Sequence, residues 1–116
     1  MAWFHEGRSP EVAHFDAYLN PLVESRPFVP YVVDVQSALI DQLPTRLIMP
    51  LYTVGADQAR LPVTLAPVVE VGGEALALMA HLVAPVSARL LNKPVLSLAH
   101  RATDVSAALD AVISGF

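Results

Sequence analysis

The chain has 116 residues, enough for one domain built on a single hydrophobic core. Apolar residues make up 54% of it, charged residues 16%, and the mean hydropathy is +0.50, which excludes a disordered chain and predicts apolar surface for self-association. The net charge of −4 disfavours nucleic acid as the primary ligand, and the absence of cysteine excludes disulfides, thiolate metal sites and thiol nucleophiles.

The sequence predicts a cytoplasmic protein without a membrane span. Its longest central stretch free of Asp, Glu, Lys and Arg, residues 75–88, is too short to cross a bilayer. Residues 1–13 include no basic region followed by an apolar run, so no signal peptide is expected. Their composition sets them apart as an N-terminal extension, disordered or docked through Trp3 and Phe4, ahead of a domain spanning 14–116.

The first half of this domain is predicted to be β-structure. A short strand over 14–19 ends at Asn20-Pro21, and prolines make 21–30 a connector rather than a helix. Residues 31–36 alternate as a half-buried strand, with Val33 and Val35 on one face and Asp34 and Gln36 on the other. A further strand covers 46–52, where Pro50 predicts a sheet edge or a bulge.

Turn signals continue in the second half. Residues 55–58 are turn-like, and 68–76 are predicted to be two strands joined by a tight turn at Gly72-Gly73. Helix and strand both remain open for 79–84, and 86–91 is another short apolar stretch.

The last part of the chain changes to a helical period over 97–114. Ser97 is the expected N-cap and Gly115 the expected residue after the helix. The apolar stripe consists of Leu98, Val105, Leu109, Val112, Ile113 and Phe116.

No catalytic group, metal site or cofactor is predicted from residue spacing. The four histidines, His5, His14, His81 and His100, lack ligand spacing. Asp34 and Asp41 have no evident base or acid partner and indicate a solvated strand face. Arg101 and Asp104 fit an exposed helical ion pair better than a proton-transfer group, and Gly72-Gly73 lacks the spacing of a phosphate-binding loop.

Several segments together resemble the CcdB family of toxins from bacterial toxin-antitoxin modules. The similarity runs almost without gaps over about 15–116. It is carried by YVVDVQSALID at 31–41, RLIMPL at 46–51, PVV at 67–69, VAPV at 83–86 and DAVISGF at 110–116.

The resemblance implies a fold and an activity. The fold would be mainly β with a C-terminal α-helix: an SH3-like barrel of the CcdB and MazF type, with an antiparallel sheet plus a small second sheet, forming a two-fold homodimer. The activity would be binding to the A subunit of DNA gyrase and trapping of the gyrase–DNA cleavage complex, without enzymatic chemistry or a cofactor. A CcdA-like antitoxin would neutralise the toxin and autoregulate transcription with it, in a system for plasmid maintenance.

Site residues follow from the family position by position. The implied gyrase contacts are Ala107, Asp110, Ile113, Ser114, Gly115 and Phe116, with Ser37 and Leu39 from the segment after the VDVQ motif. The dimer interface would include Val112, Ile113 and Phe116, and antitoxin binding would use Arg26, Arg46 and Arg60. The best-known members have Trp at the position of Ser114, and a serine cannot stack on a gyrase arginine as that ring does.

Two alternatives stay open at this point. One is an mRNA endoribonuclease of the MazF kind, which shares the barrel but needs a basic groove, whereas this chain has a net charge of −4 and one lysine. The other is a CcdB homologue with weakened or no activity on gyrase, which the serine at position 114 favours.

Overall fold

The computed structural model describes residues 15–36, 43–54 and 66–114. Antiparallel strands that form a nearly closed barrel precede a C-terminal helix, which confirms the predicted fold class. The strands are β1 Asp16–Leu19, β2 Tyr31–Asp34, β3 Thr45–Thr53, β4 Val68–Val71, β5 Glu74–Leu78, β6 Ala84–Ser87 and β7 Leu96–Ser97, and the helix is α1 Ala102–Ser114.

The nine-residue strand β3 organises the sheet. The strand order is β4-β5-β3-β2-β1-β7. On one side of β3, the first half of the strand pairs with β6 and the second half pairs with β5. All the described strands therefore belong to one antiparallel sheet, with β3 at its centre. Among these strands, the small second sheet that the resemblance implies is continuous with the main sheet.

Pro50 lies in the middle of β3 rather than at the expected edge or bulge. Its neighbours Met49 and Leu51 align with Val33 and Tyr31 of β2, while Pro50 itself directs its carbonyl to the other side, where it accepts from the Met79 amide at 3.0 Å. On that side β6 pairing ends at Ile48 and β5 pairing begins at Leu51. The missing proline N–H thus falls at the changeover between two partners, where the ladder does not need it.

The core is enclosed between the curled sheet and α1. Fully buried side chains of the sheet pack with Leu98, which precedes the helix, and with Val105 and Ala108 of α1. The largest of the sheet side chains are Met49, Leu51, Leu76 and Leu78.

The Gly72-Gly73 turn is confirmed. Both glycines have positive φ angles, +60° and +83°, and they connect Val71 to its partner Glu74. Such angles cost little only for glycine, which is why this dipeptide predicts the hairpin. The segment left open at 79–84 contains a 3-10 turn at Ala80–Leu82, and Pro85 lies within β6.

The C-terminal helix starts through a 3-10 turn, Ala99–Arg101, where the Ser97 hydroxyl accepts from the Ala99 amide at 3.1 Å. The predicted stripe holds for its first part, since Leu98 and Val105 are fully buried. It fails near the end, where Val112 is 37% and Ile113 80% exposed. At 100° per residue Ile113 is rotated away from the line through Val105 and Ala108. Gly115 and Phe116 lie outside the described residues.

Candidate functional site

Four of the residues assigned to gyrase binding share the outward face of α1. Ala107, Asp110, Ile113 and Ser114 are all exposed. Ala107, Asp110 and Ser114 lie opposite the buried Val105, whereas Ile113 lies about 80° from it around the helix axis. At 100° per residue these four positions fall within about 120° of one another, so the helix brings them onto one surface over neighbouring turns. The described part of this surface therefore combines one large apolar side chain with a carboxylate and two small residues.

The start of α1 is fastened to the sheet by Arg101. Its Nε donates to Asp104 Oδ2 at 2.6 Å and its Nη2 donates to the Val68 carbonyl at 3.1 Å. The Arg101–Asp104 pair is largely exposed, which confirms the structural interpretation of these residues. The bond to Val68 ties the turn before α1 to β4, and the Asp104 carboxylate holds the guanidinium beside it.

A buried polar network lies at the end of β2 and the start of β3. Asp34 and Arg46 are only 3% and 8% exposed, so the prediction of a solvated strand face at Asp34 is wrong. The Nε and Nη2 atoms of Arg46 approach Asp34 Oδ2 at 2.8 Å and 2.7 Å. Both faces of β2 are buried at this end of the strand, since Val33 and Asp34 are both buried, and the carboxylate is buried together with its counter-charge.

Gln36 extends this network. Its backbone amide donates to Asp34 Oδ1 at 3.0 Å, and its side-chain oxygen accepts from the Leu47 amide at 2.9 Å. Within the described ranges, no buried side-chain nitrogen or oxygen lacks a hydrogen-bond partner. The sequence analysis did not predict this network. The feature that could have indicated it is an arginine at the start of a largely apolar strand, 12 residues after an aspartate that lies between two valines.

The arginines assigned to antitoxin binding have different environments. Arg46 belongs to the buried network and presents little surface. Arg26 is half-buried, with its Nε donating to the Asn20 carbonyl at 2.7 Å, and large exposed apolar side chains surround it in sequence. These are Leu22, Val23 and Phe28.

The remaining predicted positions lie outside the described residues. This applies to Ser37, Leu39 and Arg60, to Gly115 and Phe116, and to the N-terminal extension 1–13. Among the residues that are described, no three His, Asp or Glu side chains cluster closely enough to hold a metal ion. No helix in this part of the chain has the length and apolar character needed to cross a bilayer.

Comparison with known proteins gives one assignment. The model of the CcdB protein family matches residues 14–115, nearly the whole chain, whereas no curated protein sequence matches it. The proteins of this family are toxins that poison gyrase and are not enzymes, so the ribonuclease alternative is not supported. With the barrel, the terminal helix and this match over 14–115 in agreement, the chain belongs to the CcdB family of toxins.

Proposed function

We propose that this protein binds the A subunit of DNA gyrase and traps the enzyme on cleaved DNA. The observation that carries the proposal is the outward face of α1 in a chain of the CcdB family: Ile113 is 80% exposed at the C-terminal end of the chain. A large apolar side chain held out of the core is typical of a protein interface. We assign the activity to residues 14–116 and place 1–13 outside the toxin domain.

The proposed contacts suit binding rather than chemistry. Ile113 would supply the apolar anchor, Asp110 a charged hydrogen-bond acceptor, and the small Ala107 and Ser114 would allow close approach of the partner. Gly115 and Phe116 would extend this surface at the chain end, and Ser37 and Leu39 would add to it from the segment after β2. A toxin of this kind holds a reaction intermediate of another enzyme and needs no cofactor.

Self-association is part of the proposal. Val112, Ile113 and Phe116 would lie at a two-fold axis, so that two chains present their helix ends side by side. A closed two-fold dimer uses the same patch on both subunits. The partly exposed Val112, next to the strongly exposed Ile113, supports a patch of this type.

For the antitoxin we propose a surface around Arg26, extended by Arg60. The exposed Leu22, Val23 and Phe28 beside Arg26 fit an acidic and hydrophobic tail that folds on binding. Arg46 would not contact the antitoxin directly. Its contribution would be structural, through its buried ion pair with Asp34. With gyrase and an antitoxin as its partners, the protein would act in the cytoplasm.

Purified protein, gyrase, ATP and supercoiled plasmid test the proposal together. We expect linearised plasmid after denaturation of the trapped complex, and its absence at saturating protein would contradict gyrase poisoning.

Two tail variants refine the test. Phe116→Ala should abolish the linear product, whereas Ser114→Trp should raise gyrase affinity, because it restores the stacking side chain implied by the family. Indifference to both changes would contradict the assigned contact surface, and a weak product that Ser114→Trp strengthens would identify an attenuated toxin.

A further inference from the structure

Asn20 connects the two ends of the loop between β1 and β2. This residue is buried and directly follows Leu19, the last residue of β1. Its backbone amide donates to the Pro30 carbonyl at 3.0 Å, which continues the pairing of the two strands beyond Leu19. Its side-chain Nδ2 donates to the Val29 carbonyl at 2.8 Å. Asn20 therefore closes the loop at its base.

The same residue also organises the interior of the loop. Its Oδ1 accepts from the Leu22 amide at 3.0 Å, and its carbonyl accepts from Arg26 Nε at 2.7 Å. The short 3-10 turn Val23–Ser25 lies between these two contacts. The prolines of residues 21–30 have no N–H, so the backbone of this loop offers fewer donors and depends more on side-chain bonds. Asn20 thus holds the loop in one conformation.

This loop presents large apolar side chains to solvent. Leu22, Val23 and Phe28 are each more than half exposed. The Phe28 carbonyl accepts from the Thr53 amide at 2.9 Å, and the residue after Thr53 is Val54, which is also more than half exposed. We call the side chains of Leu22, Val23, Phe28 and Val54 the loop patch. A group of exposed apolar side chains of this size is typical of a protein interface.

Charge indicates which kind of partner covers the loop patch. Arg26 lies in the same loop, and the ion pairs within the described ranges are formed by Arg46 and Arg101 instead. A partner segment with apolar side chains and a carboxylate would cover the patch and neutralise Arg26, whereas the exposed Glu24 disfavours a purely acidic segment. This is the chemistry proposed for the antitoxin tail. A loop that is already fixed loses less conformational entropy when such a segment binds.

We propose that Asn20 is a positioning residue for antitoxin binding, which it supports by holding the loop patch and Arg26 in one arrangement. The inference rests on the proposed antitoxin surface. The loop lies at the end of β1, whereas the start of α1 is tied to the other end of that strand, where the Phe15 carbonyl accepts from the Leu98 amide at 2.7 Å. Asn20 should therefore affect antitoxin affinity and leave gyrase affinity unchanged.

The test compares two variants of Asn20 with two controls. Asn20→Ala removes both side-chain hydrogen bonds. Asn20→Ser keeps an acceptor for the Leu22 amide, but its side chain is too short to reach the Val29 carbonyl. The control Phe28→Ala removes a side chain of the loop patch and leaves Asn20 intact. The control Val71→Ala truncates a buried side chain of β4, which β5 and β3 separate from β2.

The probe is the CcdA-like protein encoded beside the gene of this chain, and calorimetry measures its affinity at a temperature at which every variant is fully folded. We expect Asn20→Ala to weaken binding about tenfold and Asn20→Ser to weaken it less. Phe28→Ala should also weaken binding, whereas Val71→Ala should stay within about twofold despite its lower melting temperature. Amide hydrogen exchange at Leu22 should accelerate in Asn20→Ala and not in Val71→Ala.

Two outcomes concern Asn20 alone. If Phe28→Ala weakens antitoxin binding and neither variant of Asn20 does, the positioning role is wrong and the antitoxin surface stands. If antitoxin affinity follows melting temperature across all the variants, or if the Asn20 variants weaken binding of the purified gyrase A subunit equally, Asn20 is merely structural and the inference is again wrong. Should Asn20→Ala fail to fold, Asn20→Ser decides these points.

Two further outcomes concern the loop patch itself. If the unaltered protein does not bind the antitoxin, or if Phe28→Ala binds it equally well, the proposed antitoxin surface fails first and the inference falls with it. If light scattering shows that Phe28→Ala changes the oligomeric state, the loop patch is covered by a second copy of this chain, which would also overturn the inference.

Discussion

Breaking the Asp34–Arg46 pair should cost far more stability than breaking a surface ion pair. The two side chains are only 4% and 10% exposed, and both guanidinium contacts to Oδ2 are below 3 Å. Arg46→Met leaves a dry carboxylate without its counter-charge, and Asp34→Asn leaves a dry guanidinium in the same position. Removal of one partner of a buried pair typically costs about 3–5 kcal/mol, against about 0–1 kcal/mol for an exposed pair.

The double variant Asp34→Asn/Arg46→Met distinguishes these cases. With both charges removed, neither is left uncompensated, so we expect the double variant to be more stable than either single one. The coupling free energy should then be about 2–3 kcal/mol. Urea unfolding followed by circular dichroism gives the four free energies of unfolding, provided that protomer concentration is held constant, because an oligomer's stability depends on it.

Additivity would refute this reasoning. If the two single substitutions each cost under about 1 kcal/mol and their effects simply add, the pair behaves as a solvated surface pair. If a substitution changes the slope of the free energy of unfolding against urea concentration, and not the midpoint, it has changed the compactness of the folded or the unfolded state.

Three further predictions concern single positions. Leu98 is a fully buried side chain between β7 and α1, and Leu98→Ala should lower the free energy of unfolding in urea titration by about 2–5 kcal/mol. A loss below about 1 kcal/mol would contradict the place of Leu98 in the core. Gly73→Ala should cost about 1–2 kcal/mol by the same assay because φ is +83°, although a new Cβ would meet no atom within 4 Å; an unchanged midpoint would contradict the strained-turn explanation. Asp110→Ala, at an exposed position outside the proposed dimer contacts, should leave stability within about 0.5 kcal/mol yet weaken gyrase binding measured by calorimetry, and equal affinity would remove Asp110 from the contact set.

Local signals in the sequence were sufficient for much of the fold. The glycine pair at 72–73 predicts its hairpin because glycine adopts the required φ angles at little cost, and the helical period after Ser97 predicts α1. The order of strands first and helix last follows from the same patterns. Family resemblance, rather than residue spacing, supplied the candidate site.

Long-range packing explains what could not be predicted. Alternation along β2 separates Asp34 from Val33, but it does not indicate that the face with Asp34 is buried as well. Likewise, Pro50 predicts a missing ladder bond without indicating that β3 changes partner at that point. In the helix, the prediction placed Ile113 on the apolar stripe, although at 100° per residue it lies about 80° from Val105, and the side chain is exposed.

The bond from Arg101 to the Val68 carbonyl has a consequence for solubility in so apolar a chain. In the described sheet β4 is the terminal strand on one side, and strands with unpaired edges recruit other chains and aggregate. The guanidinium occupies one acceptor at that edge, and the exposed Glu70 places a charge beside it. At the opposite end β7 has only two residues, too few to serve as a template. The two ends of the strand order from β4 to β7 thus discourage the fibrous stacking to which a hydrophobic β-protein is otherwise prone.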